Sequence, residues 1–260
     1  MTSNTIYETK YEQIEAAVQK DYKKLYGTVY RMTENHQDTE DILQNTFLKA
    51  YRHFDGFKNQ SSLSTWIYKI AINESYRHMK SWNKLPVAVI TKEKEVSEEI
   101  FFSSLQYEPD FDDELIMEEM REKCLRGFLR CIPKHMRVCF LLKTCLELKN
   151  REIAKVMDIT EENVKVTLFR ARKKLKELFE YRCSLIDPEK PCQCYLWIKY
   201  MRDNHLPLPS GHMQFKNEEL RKEHFRNMTL LKKINYLYHV EGKLPEKEFF
   251  TELKKIAEVL

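Results

Sequence analysis

Apolar residues recur at spacings of three and four along most of this chain, and that period limits its fold more than any other feature. Ile14, Val18, Tyr22, Leu25, Val29 and Met32 line one face of a helix. Leu43, Phe47, Tyr51 and Phe54 repeat the pattern after Asp38, a residue suited to cap a helix start. A polar loop, 55–62, leads to a third helix begun by Ser62 or Ser64, with Trp66, Ile67, Ile70 and Ala71 facing inward. Long helices need few glycines, and the chain has 5 in 260 residues, with 8 prolines. The expected fold class is all-α: two small helical domains (1–82 and 123–182), an acidic linker (83–122) and a helical C-terminal extension (183–260).

Charge is distributed unevenly although the net charge is only +4. Between Glu93 and Glu122 there are 12 acidic residues and 2 basic ones, Lys94 and Arg121. Such a block repels itself and resists folding alone. It reads either as a solvated spacer or as a negative segment that enters a positively charged channel of a partner.

The stretch 150–176 is the most informative. A short helix, Arg151–Met157, is followed by Asp158-Ile159-Thr160, and Thr160 can cap a longer helix running through Glu177 or beyond. Two helices joined by a turn this short form a helix-turn-helix. Its core is expected to be Ile153, Ala154, Met157, Ile159, Val164 and Leu168. From Lys165 to Lys176 there are 6 basic residues and no acidic ones. Phosphate neutralisation by such a face supplies sequence-independent DNA affinity. Glu162, Asn163, Lys165, Val166 and Thr167, near the helix start, are placed to meet base edges in a major groove. The rival reading is a solvated basic face.

Around the 55–62 loop and the third helix, aromatic, basic and amide side chains intermix: Phe54, Phe57, Lys58, Asn59, Trp66, Tyr68, Lys69, Asn73 and Arg77. Bases stack on aromatic rings while cations follow a backbone, so the mixture suits single-stranded nucleic acid. Trp66 and Phe54 read more readily as core residues, and only some of the others need touch anything.

No Ser/His/Asp, Cys/His or paired-carboxylate arrangement stands out, and no glycine-rich phosphate loop is present, so no catalytic residue is expected. The first ten residues have no apolar stretch of the signal-peptide kind, and no apolar run reaches membrane-spanning length. A cytoplasmic protein without membrane insertion is expected, with its 7 cysteines reduced or metal-bound.

Asp38-Thr-Glu-Asp41-Ile-Leu-Gln44-Asn-Thr-Phe47 and Ser61-Ser-Leu-Ser-Thr-Trp66-Ile-Tyr-Lys-Ile70-Ala-Ile-Asn73 resemble the promoter-melting domain of bacterial sigma factors. Ile132-Pro133, Arg137, Glu152-Ile-Ala154, Val164-Lys165 and Arg170-Ala-Arg172-Lys-Lys-Leu175 resemble their C-terminal helix-turn-helix domain. With no further domain between the two, the chain is similar to the extracytoplasmic-function group over about residues 11–182. The resemblance implies a non-enzymatic initiation factor whose partners are core RNA polymerase, promoter DNA and an anti-sigma factor. It implies polymerase docking through Asp38, Asp41, Gln44 and Phe47. The minus-ten element would be read by Lys58, Asn59, Ser61, Trp66, Lys69, Asn73 and Arg77. The minus-thirty-five element would be read by Glu162, Asn163, Lys165, Val166, Thr167, Phe169, Arg170, Arg172 and Lys173. Asp158 departs from a common glycine, Asn163 from a common threonine and Lys149 from a common capping serine. A self-sufficient helix-turn-helix regulator is the alternative.

The extension goes beyond the family's two-domain plan. Cys183, Cys192 and Cys194 form Cys-x8-Cys-x-Cys, with His205 and His212 beyond. Thiolate and imidazole ligands suit structural zinc, though the spacing is not that of a standard finger. Buried thiols or a redox pair are the alternatives. No cofactor is otherwise required. Cys124, Cys131, Cys139 and Cys145, at near-helical spacing, read as core.

Overall fold

Helix α1, Thr2–Thr33, is the longest element of the computed structural model, which describes residues 2–81, 84–110 and 113–208. The six-residue face read from the period is buried throughout. Glu34 turns the chain with a positive φ of 63°. Helix α2, His36–Arg52, then starts from Asn35, whose side chain accepts the Asp38 N–H at 3.1 Å. The cap is therefore Asn35 rather than Asp38. Asp38 sits in the first turn, where its charge complements the helix dipole. Helix α3, Leu63–His78, starts at Ser62, which accepts from the Thr65 N–H at 3.1 Å. These helices pack on one another through Ile42, Leu43, Phe47 and Ala50 of α2 and Ile67, Ala71 and Ile72 of α3. Trp66 and Ile70 are only half-buried, and Tyr68 takes an inward place, donating to Asp21 Oδ2 at 2.6 Å.

The 83–122 segment is not an extended spacer. It contains α4, Pro86–Glu93, and α5, Glu98–Ser104, and the start of α6, Asp113–Arg130. Glu98 and Asp113 among its acidic groups are paired, and Val87, Phe101 and Phe102 are buried, while Val89 and Ile100 stay exposed. Glu98 accepts two bonds from Arg182, at 2.8 and 3.0 Å. Phe101 and Phe102 meet the ring of Trp197 at 6.2 and 5.8 Å between centroids.

Helices α7, Lys134–Thr144, α8, Asn150–Met157, and α9, Glu161–Glu180, follow. Pro133 directly precedes α7. Helix α10, Cys194–Asp203, packs on α6. All regular elements among the described residues are helical. By contacts, one compact unit joins Met1–Lys80 to Lys134–Arg170, and another joins Ser81–Pro133 to the chain from Ala171. Residues 209–260 of the C-terminal extension, His212 among them, lie outside the described residues. Among the described residues no helix is long and apolar enough to cross a membrane.

Asp113 ties α6 to α10. It is fully buried and accepts from Arg202 Nη2 at 2.8 Å, the Asp110 N–H at 3.2 Å and the Tyr107 hydroxyl. Burial alone would raise its carboxyl, but these donors hold it below the ordinary carboxylate value. A carboxylate with a depressed folded value stabilises fully above its unfolded value and ceases to as pH falls through the folded one. Asp113→Asn should cost about 1–3 kcal/mol at neutral pH, since one charged acceptor is lost. It should also flatten the acid limb of stability below about pH 5, where the carboxylate begins to protonate. Urea unfolding at several pH values measures both, and an unchanged acid limb would rule out this role.

Candidate nucleic-acid interface

The α8–α9 turn is tight because Asp158 adopts the left-handed region, φ 53° and ψ 45°. Aspartate tolerates this conformation better than most side chains, so the glycine common at this point is not needed. The Ile159 N–H then closes on the Ala154 carbonyl at 3.1 Å. Thr160 caps α9, accepting from the Asn163 N–H at 3.2 Å. At α8, Lys149 offers no capping oxygen, and Glu152 substitutes by accepting the Lys149 N–H at 2.7 Å. Ile153, Ala154, Val156, Val164 and Leu168 are all buried. Val156, absent from the expected core, takes part of the place assigned to Met157 and Ile159, which are half-buried.

This packing presents the other face of α9 to solvent. Glu162, Asn163, Lys165, Val166, Phe169, Arg170 and Lys173 are exposed, and Thr167 and Arg172 are half-exposed. Phe169 is 69% exposed and Val166 38%. Neither is packed by the fold, and apolar side chains in this setting suit contact with thymine methyl groups. Lys165 pairs with Glu162 at 3.2 Å, both side chains remaining exposed.

The second cluster surrounds the 3-10 turn Phe54–Gly56. Phe57 lies against Phe54 and Trp66, with centroids 6.3 and 5.4 Å away. With Lys58, Ser61, Trp66 and Lys69 it lines a groove of about 300 Å³. Asn59 turns the loop with φ 54°. Asn73 and Arg77 are exposed further along α3, where Arg77 Nη2 lies 3.4 Å from Glu74. The same compact unit brings α8 to this groove. Lys69 Nζ meets Asp158 Oδ1 at 2.5 Å, and Lys155 donates to the Gln60 carbonyl. Lys155 was not among the expected site residues, although its exposed position on the short α8 marked it as a basic surface group.

On α2, Asp41 is exposed and Asp38 and Gln44 are half-exposed, one surface over two turns. Phe47 does not belong to that surface. It is 4% exposed, with its ring 6.3 Å from that of Tyr22, because the three-and-four spacing places it on the core face of α2. His205 follows α10 and is exposed, about 15 Å along the helix from Cys194.

Residues 17–84 match the family described as sigma-70 region 2, and residues 122–175 match sigma-70, region 4. Curated relatives include the ECF RNA polymerase sigma-E factor of Escherichia coli (strain K12). It is 28% identical over 135 residues, covering 52% of this chain and 70% of the relative. The ECF RNA polymerase sigma factor SigM of Bacillus subtilis (strain 168) is 28% identical over 162 residues, covering 61% of this chain and 92% of the relative. A solved structure of sigma factor RpoE with the anti-sigma factor NepR from Bartonella quintana aligns with a TM-score of 0.44 at 20% identity. That alignment covers 64% of this chain and 96% of the other.

Proposed function

Because the chain belongs to the extracytoplasmic-function sigma factors, we infer that it binds core RNA polymerase, directs it to promoters and opens the DNA for initiation. The observation that carries this reading is the free face of α9, where Val166, Phe169, Arg170 and Lys173 stand exposed behind a helix-turn-helix core. That face reads the minus-thirty-five duplex. The aromatic and basic groove at Phe57, Lys58, Trp66 and Lys69 takes the melted minus-ten strand, where ring stacking offsets the loss of base stacking. Asp38, Asp41 and Gln44 supply the docking surface for the polymerase.

Reading both elements at once requires α3 and α8 to part. The elements are separated by about 25 base pairs, or about 85 Å at 3.4 Å per pair. In this structure Lys69 and Asp158 are in contact. Binding to polymerase separates them, and an inhibitor of the anti-sigma class acts by keeping the two surfaces covered. The site of action is the cytoplasm, and no catalytic group of the chain is used.

The test is in vitro transcription with purified core enzyme on a promoter library. Initiation above that of core alone, from templates sharing a two-part motif, is the expected result. Tight duplex binding by the isolated protein with no initiation from any template would replace this reading with that of a self-sufficient regulator.

A further inference from the structure

Helix α5, Glu98–Ser104, has 7 residues, too few to persist in water without packing. Ser97 caps its start, accepting from the Ile100 N–H at 3.2 Å, and Glu98 and Glu99 complement the dipole of the first turn. The packing comes from α10, far along the chain. Phe101 and Phe102 are both buried. Trp197 stands edge-on to Phe102 with centroids 5.8 Å apart, and Tyr200 edge-on to Phe101 at 5.6 Å. Three residues apart, Trp197 and Tyr200 share one face of α10. Trp197 is itself oriented by its Nε1–H, which donates to Cys192 Sγ at 3.3 Å.

Two arginines grip the same segment on either side of these rings. Arg182, just beyond α9, gives Glu98 two bonds through Nε and Nη2, and both side chains are largely buried. Such double donation is the strong form of an arginine–carboxylate contact. Arg202, in the last turn of α10, reaches the buried Asp113 at 2.8 Å and donates to the Tyr107 hydroxyl. Its guanidinium lies 5.6 Å from the centroid of the Tyr107 ring. The linker is thus held at Glu98, Phe101, Phe102, Tyr107 and Asp113 by Arg182, Trp197, Tyr200 and Arg202. Cys183 and Cys192 are buried where the chain turns from α9 into α10, and Cys194 is the first residue of α10. Among the described residues no three His, Cys, Asp or Glu side chains stand at metal-ligand spacing, so the join is made by rings and arginines.

We propose that α10 is a clasp: it keeps the acidic linker folded in the free chain and opens when the linker passes to a positively charged surface of the polymerase. With 12 acidic residues against 2 basic ones between Glu93 and Glu122, the linker repels itself and suits a cationic channel. Glu98 cannot face Arg182 and such a channel at once. Phe101 and Phe102 cannot enter an extended chain without leaving Trp197 and Tyr200. Arg182 and Arg202 therefore stand in for the cationic partner, and a channel lined with more cations competes for the same carboxylates. The hold follows from the contacts alone, whereas the release rests on the transcription reading.

Hydrogen exchange of the full chain, free and bound to core polymerase and read by mass spectrometry, tests both steps. In free Trp197→Ala the amides of 101–104 should exchange about tenfold faster than in the wild type. Arg182→Gln, which removes the charge and leaves an amide in its place, should act in the same direction and serves if Trp197→Ala fails to fold. Wild-type exchange at these amides in a folded Trp197→Ala, or in Arg182→Gln, would overturn the hold. On binding core, the same amides of the wild type should lose their protection. Because only the open form delivers the linker, Arg182→Gln should bind core more tightly by the factor by which its exchange rises. Protection that persists in the bound chain would overturn the release. A chain that does not bind core would overturn the transcription reading and the release with it, while exchange in the free chain still decides the hold.

Discussion

Phe179→Ala should destabilise the protein by about 3–5 kcal/mol, the range for removing a fully buried aromatic side chain. The first half of α9 buries Val164 and Leu168 and leaves its other face exposed, and the second half adds a further hold. Ala171, Leu175 and Phe179, spaced four apart, form that anchor, and each is fully buried. The Phe179 ring lies 4.2 Å from that of Phe128 on α6. Truncation leaves a cavity facing Phe128 and removes the end of the stripe. Phe179→Leu keeps most of the volume and should cost under about 1.5 kcal/mol. Urea unfolding followed by circular dichroism gives both values. An alanine variant with the wild-type midpoint would show that α9 is held elsewhere.

The expected helix-turn-helix core stopped at Leu168, so this anchor was not read from the residues. The helices and their inward faces were legible because a 3.6-residue period leaves a mark at Ile14 to Met32 and at Ile153 to Leu168 that no other fold reproduces. The α9 turn was legible too, since Thr160 and Asp158 are suited to their backbone positions. The 83–122 segment was not legible. Its charge density dominates a local reading, while the forces that fold it are distant, namely Arg182 opposite Glu98 and Trp197 against Phe101 and Phe102. Phe47 shows a third kind of failure. A residue within a recognition-like motif was taken for surface although its own period assigned it to the core. The DNA-facing sets are partly gathered: Lys58, Ser61, Trp66 and Lys69 share one groove, whereas Asn73 and Arg77 lie further along α3.

The double variant Arg170→Ala, Lys173→Ala should weaken holoenzyme binding to a promoter duplex by about 2–5 kcal/mol, with the two positions contributing differently. Arg170 is exposed one turn beyond Val166, on the half of α9 that enters a groove. A guanidinium there can grip a guanine edge with two bonds. Its loss alone should cost about 1–3 kcal/mol on the preferred sequence and much less on a scrambled minus-thirty-five element. Lys173 is exposed almost one turn further on, and with the start of α9 in the groove it is placed for the phosphate backbone rather than for base edges. Its loss should weaken every sequence alike and lower the salt slope of binding by about one. Fluorescence anisotropy on matched and scrambled duplexes at several salt concentrations separates the two effects. A sequence-independent loss on removing Arg170 would move it to the phosphate. Base reading would then fall to the exposed residues nearer the start of α9, Asn163, Val166 and Phe169. Unchanged binding of the double variant would exclude this face of α9 as the reading surface, because no other exposed surface of the helix-turn-helix combines cations with unpacked apolar groups in the same way.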